Sequence, residues 1–499
     1  MKRSVSIGMV LLAALSGFAA APSAAQAQSV LTHHNQQNRS GRYTVPGLTE
    51  AAAGGVHPDS AFTAAVSGNV YAQPLYWQPA GAKTGLLIVA TESNLIYALN
   101  ADTGAQVWKT QLATPVPSGT LPCGDIQPEG VTGTPVIDPA SGTLYLDAST
   151  LQSGNLPRHM IYALSLSNGA VRANWPLNVD TAMATRHATF SSEIQGQRSA
   201  LQFFKGKLYI TYAGRSGDCG NYRGVVIEVT PSAAPTISSD WETRALRGGI
   251  WSQGGVTSDT ISLFVTTGNT SGATDWGDGE AVIRLLPGLA HSSKAKDYFS
   301  PANWKTLDNE DADLGGTAAV PFTVPTSSGT EGRLLGLGKD GRAYLLNSAN
   351  LAGIGHAMKS IQVSNSRIIT APAVYEAPSG TFVAFTNLAG LQANCSGTSL
   401  TALKVTSDAS KPISTAWCQP LNGSGAPIVT TTNGAANPIF WVTGAENDNQ
   451  LHGFNALNGK VVFSGTGTTM TGLHRYGTLI AANHHLYVAA DNAVYSFAF

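Results

Sequence analysis

The nine residues Ile96-Tyr-Ala-Leu-Asn-Ala-Asp-Thr-Gly104 decide the fold, because they recur as Ile161-Tyr-Ala-Leu-Ser-Leu-Ser-Asn-Gly169 and, more loosely, as Leu451-His-Gly-Phe-Asn-Ala-Leu-Asn-Gly459. In each copy the first half alternates inward and outward side chains, as a strand does, and the Asn/Asp/Gly tail supplies residues that tolerate the positive φ of a tight turn. A short amphipathic strand follows, Gln106-Val-Trp-Lys-Thr-Gln-Leu112 after the first copy and Lys460-Val-Val-Phe463 after the last. An apolar strand precedes the unit, as in Leu86-Leu-Ile-Val-Ala-Thr91, and a further strand precedes that one, as in Val131-Thr-Gly-Thr-Pro-Val-Ile137. The repeat is therefore a four-stranded antiparallel sheet.

Sheets recurring every roughly 40 to 55 residues cannot each bury two faces alone, so they stack face to face around an axis as propeller blades. The fold class is all-β, with eight blades at about 71–112, 131–178, 198–245, 249–296, 313–353, 367–420, 426–465 and 475–499. Seven blades are the alternative, because the outer strand of the fifth is poorly defined. The last unit reaches Phe499 without an outer strand, and Phe62–Gly68 is expected to supply it and close the ring, hiding the sheet edges. Residues 1–27 read as a signal peptide, 28–61 as an N-terminal extension and 62–499 as the propeller.

Composition narrows the partners. Lys, Arg, Asp and Glu make up 12% of the 499 residues and the formal net charge is -1, against about 25% charged residues in an average domain. That leaves no basic footprint for nucleic acid. Lys2 and Arg3, the apolar run Val10–Ala21 and Ala25-Gln26-Ala27 match a cleavable export signal. The run is short of the about 20 residues a membrane span needs, so a periplasmic or secreted protein is expected. The four cysteines contain no CxxC or CxxCH, which removes covalent haem, a thioredoxin-type site and a cysteine zinc site. Two disulfides are expected instead. Cys395 opens a third strand and Cys418 closes the fourth beside it, which favours a bridge between them; Cys123 and Cys219 lie on loops from neighbouring parts of the ring as the candidates for the second, with crossed pairs or free thiols as the alternatives.

In a four-stranded meander the connections from second to third strand, and from outer strand to the next blade, share one face. The long loops 114–130, 183–197, 215–222, 269–278, 297–312, 391–398 and 466–474 fall there, with all four cysteines, whereas the opposite turns are tight. Long loops on a rigid ring are where function concentrates.

The units resemble the pyrroloquinoline quinone (PQQ) type repeat through Tyr97, Ala98, Leu99, Ala101, Thr103, Gly104 and Trp108, a tryptophan that docks one blade on the next in that family. Trp175 and Trp417 are the weaker equivalents. Leu31-Thr-His-His-Asn35, Gly133-Thr-Pro-Val-Ile-Asp138, Gly338-Lys-Asp-Gly-Arg342 and Gly444-Ala-Glu-Asn-Asp-Asn449 are similar to an uncharacterised branch of secreted bacterial quinoprotein-like propellers. The resemblance implies a propeller fold. In the dehydrogenases of this class it also implies PQQ held on one face with calcium or a lanthanide, an Asp base and, in many members, a vicinal disulfide.

Candidate residues for that chemistry are present, without a complete motif. Asp275, Asp278, Asp311 and Asp313 form the candidate metal set, since oxygen-rich clusters suit hard cations; solvated loop carboxylates and turn caps are the alternative. Glu446, Asp448 and Asn449, with His474 and Arg475, form the candidate cofactor set, the Arg suited to an anionic ligand; an Asx-type turn and a channel-lining structural Arg are the alternative. Lys339-Asp340-Gly341 reads as a hairpin turn, and His33-His34 as a poor metal pair. No GxSxG elbow, HExxH helix or Walker loop marks a hydrolase, zinc protease or nucleotide enzyme, and there are no vicinal cysteines and no haem domain. Two functions stay open. One is a non-catalytic exported propeller binding a protein, glycan or small molecule on its long-loop face; the other is a PQQ- and calcium-dependent dehydrogenase.

Overall fold

The computed structural model describes Met1 and residues 29–186, 189–391, 395–465 and 467–499; most of the expected signal peptide lies outside them. Alternating apolar strands separated by Asn-, Asp- and Gly-bearing turns form eight antiparallel blades in a ring. The first is Leu75–Trp77, Leu86–Ala90, Leu95–Asn100 and Gln106–Gln111, and the second Val136–Asp138, Thr143–Gln152, Leu156–Ser165 and Leu177–Asn178. The fourth places Thr257–Ser258 innermost, followed by Leu263–Thr267, Ala281–Leu285 and Tyr298–Ser300. The fifth has a well-formed outer strand, Lys359–Gln362, paired with Arg342–Leu345; this resolves the choice of seven or eight blades in favour of eight.

Ring closure follows the expected route, with an addition. Ala64–Ala65 pairs with Ala493–Val494, and His57–Pro58 extends the same edge against Phe497–Ala498. The eighth blade thus takes its outer strand from the other end of the chain.

The interior is a series of apolar layers between neighbouring blades. Ile96, Ala98 and Trp108 of the first blade meet Leu144, Leu146 and Leu164 of the second, and Phe382, Leu400 and Trp417 of the sixth meet Phe440, Val442 and Phe454 of the seventh. Trp108 Nε1 donates to the Leu166 carbonyl at 2.9 Å, and Trp417 Nε1 to the Ala456 carbonyl at 3.0 Å. In both, the indole reaches the turn of the next blade. Trp175 instead packs on Tyr145 of its own blade, with ring centroids 5.6 Å apart. Replacing Trp108 by Phe keeps the apolar contact but orphans the buried Leu166 carbonyl, and should cost about 1–2 kcal/mol in a urea titration.

Residues 30–44 thread the ring along the inner strands. Val30 pairs with Tyr76 of blade one, and Ile137 of blade two donates to the Leu31 carbonyl. Ser258 of blade four donates to Gln37, and Asn38 Nδ2 donates to Pro321 of blade five. Val374 of blade six donates to Ser40, and Arg42–Thr44 runs parallel to Val429–Thr431 of blade seven. Arg39 spans blades three and four by donating to the carbonyls of Leu201 and Gly254, both at 3.0 Å. This segment closes the channel toward the tight-turn face, and the other end remains a funnel.

Candidate functional site

The funnel is a polar cavity of about 480 Å³ among the long inter-blade loops, within the size range of small-molecule sites. Its wall at blades four and five is the most organised. Trp251 precedes the inner strand of blade four, Asn269 follows that blade's second strand, and Asp313 ends the loop after the helix Trp304–Glu310. Lys339 occupies the hairpin between Gly329–Leu337 and Arg342–Asn347 of blade five.

Their contacts form one unit. The Lys339 ammonium lies 2.5 Å from Asp313 Oδ2, 3.0 Å from Asp311 Oδ1 and 5.2 Å from the centroid of the Trp251 ring. The Asn269 backbone N–H donates to Asp313 Oδ1 at 2.7 Å. Gly268 makes this approach possible: a Cβ there would stand 2.8 Å from Asp313 Oδ1 and 3.2 Å from Trp251 Nε1. Burial raises the Asp313 carboxyl above its ordinary range, outweighing the pull of Lys339. Burial also works against the Lys339 charge, yet Asp313 and Asp311 outweigh it and hold the ammonium above its usual value.

Other parts of the wall carry paired charges. Arg215 holds Glu129 bidentately, with contacts at 2.8 and 2.5 Å. Arg475 holds Glu446 through Nε at 2.8 Å and Nη2 at 2.5 Å. His474 Nε2–H donates to the Asp491 carboxylate at 2.8 Å, and the ring stacks on Tyr71 at 4.1 Å. Burial, followed by nearby carboxylates, pushes the Tyr71 hydroxyl up to about 12. The cavity-lining guanidinium of Arg198 donates to the Gly214 carbonyl at 3.3 Å, and Arg367, also lining the cavity, is exposed.

The candidate cofactor residues divide. Glu446, His474 and Arg475 reach the funnel. Asp448 pairs instead with His452 at 3.0 Å, and Asn449 Oδ1 caps the Glu446 N–H at 3.1 Å in a turn where both residues have positive φ. The candidate metal residues divide too. Asp311 and Asp313 share Lys339, whereas Arg244 holds Asp278 bidentately at 2.8 Å and Asp275 is exposed beside Thr274. Among the described residues no three His, Cys, Asp or Glu side chains gather where they could hold a metal ion. The donor set at Asp313 therefore does not fit calcium, because an ammonium already faces its carboxylate. The cavity lining carries aromatic surface at Trp251 and cations at Arg198 and Arg367.

Local sequence gave no signal for Trp251, Arg198, Arg215 or Arg367, and Lys339 lay in a segment readable as a turn. Both disulfides are as expected, Cys123 with Cys219 and Cys395 with Cys418. Cys123 and Cys219 tie together two of the loops that border the funnel.

The family described as outer membrane protein assembly factor BamB matches residues 60–218. No curated protein matches the chain. Among solved structures, quinohemoprotein alcohol dehydrogenase from Comamonas testosteroni is similar with a TM-score of 0.65 at 14% identity, over 94% of this chain and 80% of that one. A europium-containing methanol dehydrogenase gives 0.61 at 13% identity, over 93% and 90%. BamB from Moraxella catarrhalis gives 0.52 at 13% identity, over 89% and 100%. At these identities the likeness carries the fold, and the same fold serves enzymes and a non-enzymatic assembly factor.

Proposed function

We propose, for a chain that is a PQQ-like β-propeller, that it is an exported small-molecule-binding protein whose ligand is a flat, ring-bearing anion held in the funnel. The carrying observation is the unit of Trp251, Lys339 and Asp313 inside a polar cavity of about 480 Å³. The Trp251 face suits a ring, the cations Arg198 and Arg367 elsewhere in the lining suit its anionic groups, and side chains locked by their own partners present a preorganised surface. Two disulfides and a signal-like first segment support export. No helix among the described residues is long and apolar enough to cross a membrane.

A second reading, a dehydrogenase, is favoured by Asp313, a buried carboxyl raised above its usual range at the cavity wall. A quinone held in the funnel would supply two-electron oxidation. Asp313 is the group placed to take a proton from an alcohol, and Lys339 the group that holds its carboxylate in place.

Titration with PQQ, with and without Ca²⁺, separates these readings. Saturable quenching of tryptophan fluorescence is expected, weakened at least about tenfold by Trp251→Ala and by Lys339→Gln, or ~1.4 kcal/mol. Quenching that both variants leave unchanged would remove the funnel as the site. Reduction of an artificial dye with an alcohol present would select the dehydrogenase; binding without turnover would select the binding protein.

A further inference from the structure

The strand Leu156–Ser165 of blade two carries a histidine whose surroundings call for two ring protons. His159 is 1% exposed, and its Nδ1 lies 2.7 Å from Asp147 Oδ1 on the neighbouring strand Thr143–Gln152. Its Nε2 lies 2.9 Å from the carbonyl oxygen of Gln195, in the long loop that leads to blade three. Both partners are acceptors. A neutral imidazole has one N–H and one lone pair, so either tautomer would set a lone pair against an oxygen in a buried site, a loss of about 1–3 kcal/mol. A proton on each nitrogen satisfies both contacts.

The groups around the ring favour that form. Asp147 Oδ2 accepts the hydroxyl of buried Tyr212, on strand Lys207–Gly214 of blade three, at 2.9 Å. Burial, and then the Asp147 charge, hold that hydroxyl protonated. Glu129 and Arg215 act on the ring with opposite signs and pair with each other. Asp180, on the helix Val179–Ala184, is engaged by Ser192 and Arg158, and Glu193 is exposed. Burial works against the second ring proton, but the Asp147 carboxylate outweighs it and the ring titrates above its ordinary value of 6.5. Phe190 and Tyr212 shield the ring edge-on, with centroids 6.2 and 5.2 Å away.

That second proton holds a loop. The His159 backbone N–H donates to Ser192 Oγ at 2.8 Å, and Gln195 Nε2 donates to the Arg223 carbonyl at 2.9 Å. Gln195 and Gly196 pair with Gly214 and Ala213 of blade three, and Arg198, three residues on from Gln195, lines the funnel. The Gln195 carbonyl is thus where the buried charge of blade two meets the backbone of the funnel wall. When the ring loses one proton, the remaining N–H stays with Asp147, because a hydrogen bond to a charged acceptor is about twice as strong as one to a neutral carbonyl. Gln195 then loses its donor.

We propose that His159 is a proton-operated latch: with a proton on each ring nitrogen it ties residues 190–197 to blade two, and loss of one proton releases the Gln195 carbonyl and loosens the funnel wall that follows it. The latch stands whatever the funnel binds. Because the folded ring holds its proton more tightly than the unfolded one, the tie is complete below the unfolded value of 6.5 and is lost as the pH rises through the folded value.

The test uses nuclear magnetic resonance on the full chain with nitrogen-labelled histidine. At about pH 7 both ring nitrogens of His159 should carry protons. Its signals are identified by their disappearance in His159→Gln or, should that variant not fold, by their displacement in Phe190→Leu. Amide exchange at residues 194–197, corrected for its intrinsic pH dependence, should accelerate at least about tenfold over the range in which the ring loses one proton. His159→Gln, which does not titrate, should show no such step. A single ring proton at about pH 7 would overturn the proposal. So would a ring that keeps both protons to about pH 10, exchange that stays level while the ring titrates, or the same acceleration in His159→Gln.

Discussion

Replacing Arg39 by alanine should lower the folding stability by ~3–5 kcal/mol, read as a fall in the urea midpoint without a change in slope. Arg39 is 1% exposed and has no carboxylate partner among the described residues. Its guanidinium is instead solvated by the protein: Nε donates to Gly254, Nη2 to Leu201, and Nη1 to His33 and to the Thr32 hydroxyl. Burial draws the guanidinium down to about 9, so it stays charged at neutral pH. Alanine would leave three buried carbonyls unpaired and a void where blades three and four meet residues 30–44. Arg39→Lys is expected to fall between, because one ammonium cannot fork to Leu201 and Gly254 together. A loss below about 1 kcal/mol for Arg39→Ala would mean that the segment does not hold the blades together.

The same segment shows where reading the sequence stops. The blades were legible because their turns are local: Asn100 Oδ1 caps the N–H groups of Asp102 and Thr103, and Asn455 Oδ1 does the same for Leu457 and Asn458. A turn that depends on four adjacent residues repeats visibly. The Cys395–Cys418 bridge was favoured in the sequence because the meander places the two residues at one end of adjacent strands. Arg39, by contrast, owes its role to Leu201 and Gly254, more than 160 residues away. Nothing within its own neighbourhood distinguishes it from a surface charge.

Site residues divide on the same physical line. Asp278 and Asp313 look alike in sequence, as loop carboxylates with glycine within two residues. The difference comes from outside: Arg244 takes Asp278 and Lys339 takes Asp313, and it is Lys339 that lies over the Trp251 ring on the funnel wall. The hairpin of Lys339, Asp340 and Gly341 is formed as read, with Gly341 at φ 71°. What the sequence could not show is that this turn points its lysine at two carboxylates from another loop.

Glu92→Gln should stabilise the protein at pH 8, and the effect should reverse to a loss by pH 4.5. Glu92 lies in the hairpin after Leu86–Ala90, fully buried behind the funnel wall. Its Oε2 accepts the Gly130 N–H at 2.6 Å, while Oε1 has no hydrogen-bond partner among the described residues. Burial pushes its carboxyl up to about 8, helped by the charges of Glu129 and Asp491. In the unfolded chain a glutamate titrates near its ordinary value of about 4.3. The folded state thus binds this proton more tightly, so the stabilising effect of the neutral acid is complete below pH ~4.5 and is lost as the pH rises through about 8. The difference in pKa corresponds to an upper bound of ~4–5 kcal/mol. Glutamine keeps the shape and the acceptor but cannot ionise, and it brings an amide N–H that the pocket does not satisfy, at ~1–3 kcal/mol. The expected net gain is ~2 kcal/mol at pH 8, turning into a loss of ~1–3 kcal/mol at pH 4.5, from urea titrations of both proteins across that range. A difference that stays flat with pH would show that Glu92 keeps its charge in the fold, and that something other than protonation compensates it.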